Sequence, residues 1–273
     1  MVISELISKI RAELSDNAEF EAREIVMSVL GINRNELIIN SRKEVGCGEI
    51  KKVAEIVNRR KSGEPLQYIL GEAEFMSLRF KTSRLTLIPR SDTETLVEEI
   101  LEYTNGASAK LIDIGTGTGC IGISAAYYNK NILVTLADFK EEILKLAKAN
   151  AEENGVKAET LCIDILNEIP NGKFDIIASN PPYIESNVIP SLQTEVKDFE
   201  PMTALDGGED GLVFYRRIIE LVPEILNKGG ALFFEIGYNQ GKAVSELMRD
   251  SFKNVRVVKD LCGNDRVITG IFK

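Results

Sequence analysis

From Lys110 onward, short apolar runs alternate with amphipathic stretches of helical length, and this alternation limits the fold more than any other feature of the chain. Strands are predicted at 110–114, 132–137, 158–163, 174–178, 230–236, 255–259 and 266–272, with helices near 119–128, 140–154, 210–227 and 240–250. Runs that stay apolar along their whole length belong to strands covered on both faces. Interleaved with helices, they predict an α/β fold: a doubly wound, mostly parallel sheet with helices on both sides. Ligands of such a sheet lie beyond the carboxyl ends of its strands. No internal repeat or low-complexity tract interrupts the pattern.

The first sixty residues have a different texture. Apolar positions recur at threes and fours (Val2, Leu6, Ile10 and Leu14, then Phe20, Ile25, Val29 and Leu30), with Gly31 as a stop, and residues 50–60 repeat the pattern. This predicts a small helical domain. The opening stretch carries Glu5 inside it and reads as an amphipathic helix, not as a signal peptide. Next, Gly63, Pro65 and Gly71 punctuate short segments, of which 77–82 alternates like a hairpin strand. The predicted division is a helical domain over 1–62, a hairpin linker over 63–90 and an α/β domain over 91–273, in keeping with a chain of 273 residues. At the head of the last part, Ser91 and Glu94 have the spacing of a capping box, which predicts a helix through about Tyr103.

Composition narrows the chemistry. The chain has no histidine, which rules out Ser-His and Cys-His catalysis and histidine-ligated metals. Its cysteines, Cys47, Cys120, Cys162 and Cys262, are scattered without a C-x-x-C pair, so reduced thiols in a cytoplasm are the expectation and no metal is expected. No apolar run approaches the roughly 20 residues of a membrane helix; the strongest, 231–236, has the length of a buried strand. Net charge is −9, and residues 1–80 hold 12 basic and 13 acidic residues, leaving 21 and 29 for the rest. Phosphate backbones are held mainly by Lys and Arg, so an acidic α/β half argues against a nucleic-acid substrate.

Lys110-Leu-Ile-Asp-Ile-Gly-Thr-Gly-Thr-Gly119 is a strand running into a glycine turn that opens a helix. Without Cβ atoms at Gly115, Gly117 and Gly119 the backbone can turn sharply and approach a ligand, and the helix N-terminus beyond favours an anionic group. The same segment also fits the dinucleotide pattern G-x-G-x-x-G, from Gly117 to Gly122. Asp138 ends the next strand, 25 residues after Asp113, where a carboxylate can accept hydrogen bonds from both hydroxyls of a ribose or cap the following helix. Asp164 ends the third strand, placed either to meet an adenine amino group or to cap its own loop. Its neighbour Ile165 offers an apolar face to the ring.

A further motif separates the possible cofactors. The run 174–179 is a buried strand, and Asn180-Pro181-Pro182-Tyr183 follows at its carboxyl end, where the ligand is expected. An amide nitrogen is a poor nucleophile because its lone pair is delocalised into the carbonyl. The Asn180 oxygen and a backbone carbonyl of the proline pair can each accept one N–H of such a group and turn its lone pair toward a methyl donor. The prolines stiffen the loop and preorganise both acceptors. Tyr183 can lay its ring on a flat amide and help surround a cationic sulfonium. Neither a metal nor a histidine base is needed.

Taken together these segments resemble the HemK/PrmC family of methyltransferases. The resemblance runs through Pro65-Leu-Gln-Tyr-Ile-Leu-Gly71, Leu87-Ile-Pro-Arg90 with Asp92-Thr-Glu94, Asp113-Ile-Gly-Thr-Gly-Thr-Gly119 and Asn180-Pro-Pro-Tyr183. It continues in Glu200-Pro201, Ala204-Leu-Asp-Gly-Gly208, Glu235-Ile-Gly-Tyr238 and the stretch from Asp260 to Arg266. It implies a Rossmann-like class I methyltransferase domain with a seven-stranded sheet, a hairpin linker and a small helical domain that docks the substrate. The implied cofactor is S-adenosyl-L-methionine, leaving S-adenosyl-L-homocysteine, and the implied substrate is the glutamine N5 in the Gly-Gly-Gln loop of class I peptide chain release factors.

By position, the resemblance implies that Gly115, Thr116, Gly117, Thr118, Gly119, Asp138 and Ile165 line the cofactor, and that Asn180, Pro181, Pro182 and Tyr183 hold the glutamine, with Asn180 also close to the cofactor. No membrane and no direct nucleic-acid partner are implied. Ser91 departs from the family, which usually carries proline there. A sister family acting on a ribosomal-protein glutamine shares the architecture; Asp92-Thr-Glu94 and Tyr68-Ile-Leu-Gly71 favour the release-factor branch. Two other enzyme readings stand beside it. An NAD-dependent oxidoreductase leaves the Asn180 motif idle, and a methyltransferase of nucleic-acid amino groups needs a basic groove in an acidic half. A non-catalytic adaptor leaves the glycine turn without purpose.

Overall fold

A computed structural model describes residues 1–14 and 18–273. The chain divides into two compact units, Met1–Gly71 and Glu72–Lys273.

The first unit is helical: α1 (Ile3–Glu13), α2 (Ala18–Leu30), α3 (Arg34–Ile39), α4 (Cys47–Lys61) and α5 (Leu66–Leu70). Its buried face on α1 and α2 is Ile3, Leu6, Ile10, Ala22, Ile25 and Val26. The sequence period is right, but its phase shifts at the ends, since Val2 is the N-cap and Phe20 is exposed. The sequence pattern does not mark α3, which is only 6 residues long. It exists because Asn33 and Glu36 form a capping box, each side chain accepting from the other's backbone N–H at 2.9 Å. Leu66 and Leu70 pack into this unit's core, and Gly71 ends α5 in the left-handed conformation that favours glycine. A long-range ion pair joins Arg60 Nε to the buried Glu21 carboxylate, at 3.0 and 2.9 Å.

The second unit opens with a hairpin, β1 (Glu72–Phe75) and β2 (Leu78–Lys81), turned at Met76 and Ser77 with φ of 49° and 57°. Both central residues thus take the positive φ that a two-residue hairpin turn demands. Phe75 and Phe80 are fully buried in the core of this unit. There follow α6 (Glu94–Thr104), β3 (Ala109–Ile114), α7 (Cys120–Tyr128), β4 (Ile132–Asp138), α8 (Glu141–Glu153), β5 (Ala158–Cys162) and β6 (Phe174–Ser179). The chain ends through α9 (Thr194–Lys197), α10 (Val213–Ile225), β7 (Leu226–Glu235), α11 (Gly241–Met248), β8 (Phe252–Lys259) and β9 (Asp265–Phe272).

The expected capping box at Ser91 does not form. Residues Ser91–Thr93 make a 3-10 turn, and the Glu94 carboxylate instead accepts from Met76 N at 2.6 Å. That hairpin amide lies at the turn, outside the strand ladder, and the glutamate satisfies it.

Seven strands form one sheet in the order β5-β4-β3-β6-β7-β9-β8, parallel except that β9 runs antiparallel to both neighbours. Helices α6, α7 and α8 bury their apolar faces on one side, and α10 and α11 on the other. β7 begins earlier than its apolar run because Leu226 already pairs with Phe174; an irregularity at this end of the pairing precedes Ala231, which faces Ile176. Strand order reverses between β3 and β6, and the register brings Ile114 beside both Ala137 and Ser179. The loops after β3, β4 and β6 therefore leave the sheet side by side, at the switch point where such folds bind ligands. Among the described residues no helix is long and apolar enough to cross a membrane.

Candidate active site

The turn after β3 is held from beneath by Asp113, which is fully buried. Its Oδ2 accepts from Thr116 Oγ1 at 2.7 Å and from Gly122 N at 3.0 Å, while Oδ1 has no partner. Burial pushes this carboxyl up to about 6, against the pull of those two donors. Above it Gly115, Gly117 and Gly119 all take left-handed φ, of +70°, +55° and +86°. At Gly119 packing adds a second demand, because a Cβ there would meet Ile123 Cδ1 at 2.5 Å. Gly117 N donates to Asp138 Oδ2 at 3.0 Å, tying the turn to the end of β4.

Asp138 is 6% exposed, and its Oδ1 accepts from Phe139 N at 2.9 Å. Burial raises its titration above the ordinary carboxylate value, and the amides of Gly117, Phe139 and Lys140 oppose that rise. A carboxylate has about four acceptor sites, more than these amides use.

These groups border a cavity of about 490 Å³, within the usual range for a small-ligand site. Gly115, Gly117, Asp138, Asp164 and Ile165 stand in its wall, and so do Asn180, Pro181 and Pro182. Thr116, Thr118 and Gly119 do not: the Thr116 hydroxyl turns inward to Asp113, and Thr118 is 2% exposed, its carbonyl accepting from Asn150 Nδ2 at 2.8 Å. Asp164 spends its oxygens locally, Oδ1 on Leu166 N at 3.1 Å and Oδ2 on Asn167 Nδ2 at 2.7 Å. Tyr183 also stands outside the wall. It packs against the core of the α10 face, and its hydroxyl donates to Glu235 Oε1 at 3.4 Å. Burial, and then the Glu235 charge, push its phenol upward.

The loop carrying Asn180 is fixed by distant partners. Ser179 Oγ donates to Ile114 O at 2.7 Å, and Gln240 Nε2 donates to Tyr183 O at 3.0 Å. A second chain segment runs alongside, with Ile184 N donating to Leu205 O at 3.0 Å and Gly207 N to Ile184 O at 2.8 Å. Gly207 passes so close that a Cβ would lie 2.7 Å from Tyr183 Cα and 2.8 Å from Pro182 O. Asn180 Nδ2 donates to Thr93 Oγ1 at 3.4 Å, and Thr93 Oγ1 donates to Glu235 Oε2 at 2.5 Å.

Several walls escaped the motif analysis, notably Leu85, Thr86, Leu87, Phe139, Met202 and Phe214. All but Phe214, which stands in the first turn of α10, come from connecting segments, where neither periodicity nor spacing marks a side chain that faces a ligand. Thr93, Glu235 and Gly207 lie in segments that carry the family resemblance, but sequence reading assigned them no part in the site. Among the described residues no three His, Cys, Asp or Glu side chains cluster in a way that could hold a metal ion.

Residues 2–71 match the PrmC N-terminal domain family, and residues 91–195 match the methyltransferase small domain family. The chain is 39% identical over 268 residues to the release factor glutamine methyltransferase of Clostridium acetobutylicum, covering 95% of this chain and 93% of that one. To the release factor glutamine methyltransferase of Geobacter sulfurreducens it is 39% identical over 256 residues, 93% of this chain and 90% of that one. Among solved structures, a methyltransferase from Pyrococcus furiosus is similar in fold, with a TM-score of 0.51 at 21% identity over 69% of this chain and 88% of that one.

Proposed function

Since the chain belongs to the family of release factor glutamine methyltransferases, we propose that it methylates N5 of the glutamine in the Gly-Gly-Gln loop of peptide chain release factors. It is a methyltransferase that uses S-adenosylmethionine, whose sulfonium supplies an electrophilic methyl group when bound. The same reading puts the enzyme in the cytoplasm with its substrate.

The cavity fits such a cofactor. Gly115 and Gly117 let a polar tail lie against bare backbone, since a Cβ at Gly115 would meet nothing within 4 Å and one at Gly117 only Thr86. The Asp138 carboxylate, with about four acceptor sites, has capacity beyond its backbone donors for the hydroxyls of a ribose. Ile165, with Phe139 and Ile143, offers an apolar slot for a flat base. Asp164 borders the same slot and can accept from the amino group of the base.

The observation that carries the substrate assignment is Asn180. Its nitrogen points at Thr93, and it stands in the wall of the cavity that Asp138 and the glycine turn also border. Its oxygen accepts one N–H of the substrate amide, and a carbonyl of the proline pair accepts the other. Both acceptors stand still before the amide arrives, so the N–H bonds are directed away from the methyl donor and the nitrogen lone pair toward it. Tyr183 acts from behind, bracing the loop through Glu235. The helical first unit serves as the docking domain for the release factor, a reading supported by its separate core.

The test is transfer of labelled methyl from S-adenosylmethionine to purified release factor, with the modified peptide mapped by mass spectrometry. Label on the glutamine of the Gly-Gly-Gln loop is expected. Label reaching only a ribosomal protein or DNA would overturn the assignment.

A further inference from the structure

We propose that Thr93 and Glu235 are a positioning pair that decides which end of the Asn180 amide faces the substrate. The inference rests on the role given to Asn180 above. The two ends of an asparagine amide are nearly the same size but opposite in hydrogen bonding, so only their partners fix the orientation. An inverted Asn180 would meet the substrate NH₂ with its own NH₂, donor against donor.

The direction is set from the far end of the chain of contacts. An ionised carboxylate only accepts. Glu235 therefore takes the single proton of the Thr93 hydroxyl at Oε2, 2.5 Å away. With its proton spent, Thr93 Oγ1 can only accept from its other neighbour. That neighbour is Asn180, whose Nδ2 lies 3.4 Å away, and the carbonyl end of the amide must then turn the other way. Glu235 holds the loop a second time through Tyr183, whose hydroxyl reaches its Oε1 at 3.4 Å. The sheet register makes this possible: Ser179, the last residue of β6, pairs with Phe234, so Asn180 just beyond it comes beside Glu235 at the end of β7.

The position of Glu235 argues that the carboxylate is there for this purpose. It is 2% exposed, and residues 231–234 and 236 around it are buried and apolar, so the sheet by itself has no use for a charge. Burying a carboxylate is costly unless it is fully hydrogen-bonded. Arg266 and Asp92 act on it electrostatically, one favouring and one opposing its charge, and Tyr215 donates to its backbone carbonyl at 2.8 Å. Burial lifts the Glu235 carboxyl to about 7 against the pull of Thr93 and Arg266, so the assay belongs at pH 8 or above, where the ionised, accepting form predominates.

The experiment is a double-mutant cycle of Thr93→Val and Asn180→Ala, read as the single-turnover rate on release factor with cofactor binding measured separately. Thr93→Val is expected to slow transfer about 10- to 30-fold, as loss of one orienting contact does, while cofactor affinity changes by less than about threefold. In the Asn180→Ala background the same change should cost nothing further, because no amide remains to be oriented. Thr93→Ser restores the donor and acceptor and should recover the rate. Equal losses in both backgrounds, or a Thr93→Val rate close to wild type, would overturn the pair. If Thr93→Val fails to bind cofactor, Thr93→Ala, which leaves room for a water at Glu235, takes its place. Wild-type enzyme that labels no glutamine would fail the assignment of function itself, and the pair would fall with it; active wild type with additive losses would fail the pair alone.

Discussion

Two loops border the same cavity but are held by opposite means. The glycine turn after β3 is supported from nearby in sequence: Asp113 reaches Thr116 and Gly122, and Asp138 reaches Gly117. The Asn180 loop after β6 is supported from far away, by Thr93 and Glu235 and by Gln240. The first therefore owes its shape to one strand–turn–helix unit and its neighbour, and the second to the closure of the whole sheet. If the division of labour follows the division of support, damage to the turn should appear in cofactor affinity and damage to the loop in the rate of transfer.

The largest expected effect tests the loop. Asn180→Ala should lower the single-turnover rate about 10²- to 10³-fold, the usual cost of removing one preorganised polar contact. Cofactor affinity should change by less than about threefold, because the glycine turn and Asp138 remain. A mutant that turns over normally, or one that fails only because cofactor no longer binds, would erase the contrast.

Asp138→Ala is the mirror experiment. Loss of hydrogen bonds to a charged acceptor should weaken S-adenosylmethionine binding by about 1–3 kcal/mol, measured by calorimetry, with the rate at saturating cofactor little changed. Unchanged affinity in a folded protein would remove the ribose contact from the site.

A third experiment asks what the distant support costs. Burial pushes Glu235 up to about 7 from an ordinary value of 4.5. Thr93, Arg266 and Tyr183 favour its charge and Asp92 opposes it. Between those two values the folded chain binds more protons than the unfolded one, so this group's contribution to stability falls as pH rises through that window. Glu235→Gln has no such titration. The wild type should thus lose roughly 2 kcal/mol relative to the variant between pH 5 and pH 8, at about 1.4 kcal/mol for each pH unit of displaced titration. Denaturant unfolding at both pH values reads the difference. A difference that does not change with pH would mean that Glu235 stays ionised throughout, and the distant support would be cheap.

The contrast in support also explains what the sequence disclosed. The seven strands and the glycine turn follow from periodicity and from residues spaced within about one βαβ unit, and such signals survive in a linear reading. The apolar period of the first helices is equally plain, although its phase at Val2 and Phe20 was decided by packing. One motif carries Asn180, Pro181 and Pro182, and all three stand in the cavity wall. Thr93 and Glu235 lie 87 and 55 positions away from Asn180, and nothing local links a threonine in a turn to a glutamate ending a strand. The supposed capping box illustrates the same limit, since Glu94 was claimed by a hairpin amide 18 positions earlier. The motif predicts a Tyr183 ring beside the substrate but gives no sign of the partner its hydroxyl takes in the fold, the Glu235 carboxylate.

The smallest effect comes from Asp164, and it sharpens the comparison within the cofactor side of the cavity. The sequence treats Asp138 and Asp164 alike, as the ends of adjacent strands, and both face the cavity; in the fold Asp138 ends β4, while Asp164 lies two residues beyond the end of β5. Their surroundings differ. The Asp138 carboxylate is nearly buried and braces the glycine turn itself, whereas the Asp164 carboxylate folds back on Leu166 and Asn167 in an exposed loop. Water can replace those loop contacts at little cost, since exposed polar interactions contribute little net free energy. The remaining lone pairs of Asp164 can still accept from the amino group of an adenine, but water competes for that bond as well. Asp164→Ala should therefore weaken cofactor binding only about two- to fivefold, well below the effect at Asp138. Asp164→Asn keeps one acceptor and should stay within about twofold of wild type. A loss at Asp164 as large as that at Asp138 would show that recognition of the base matters as much as recognition of the ribose. Support for the cofactor would then be spread along the whole edge of the sheet and not concentrated at the turn after β3.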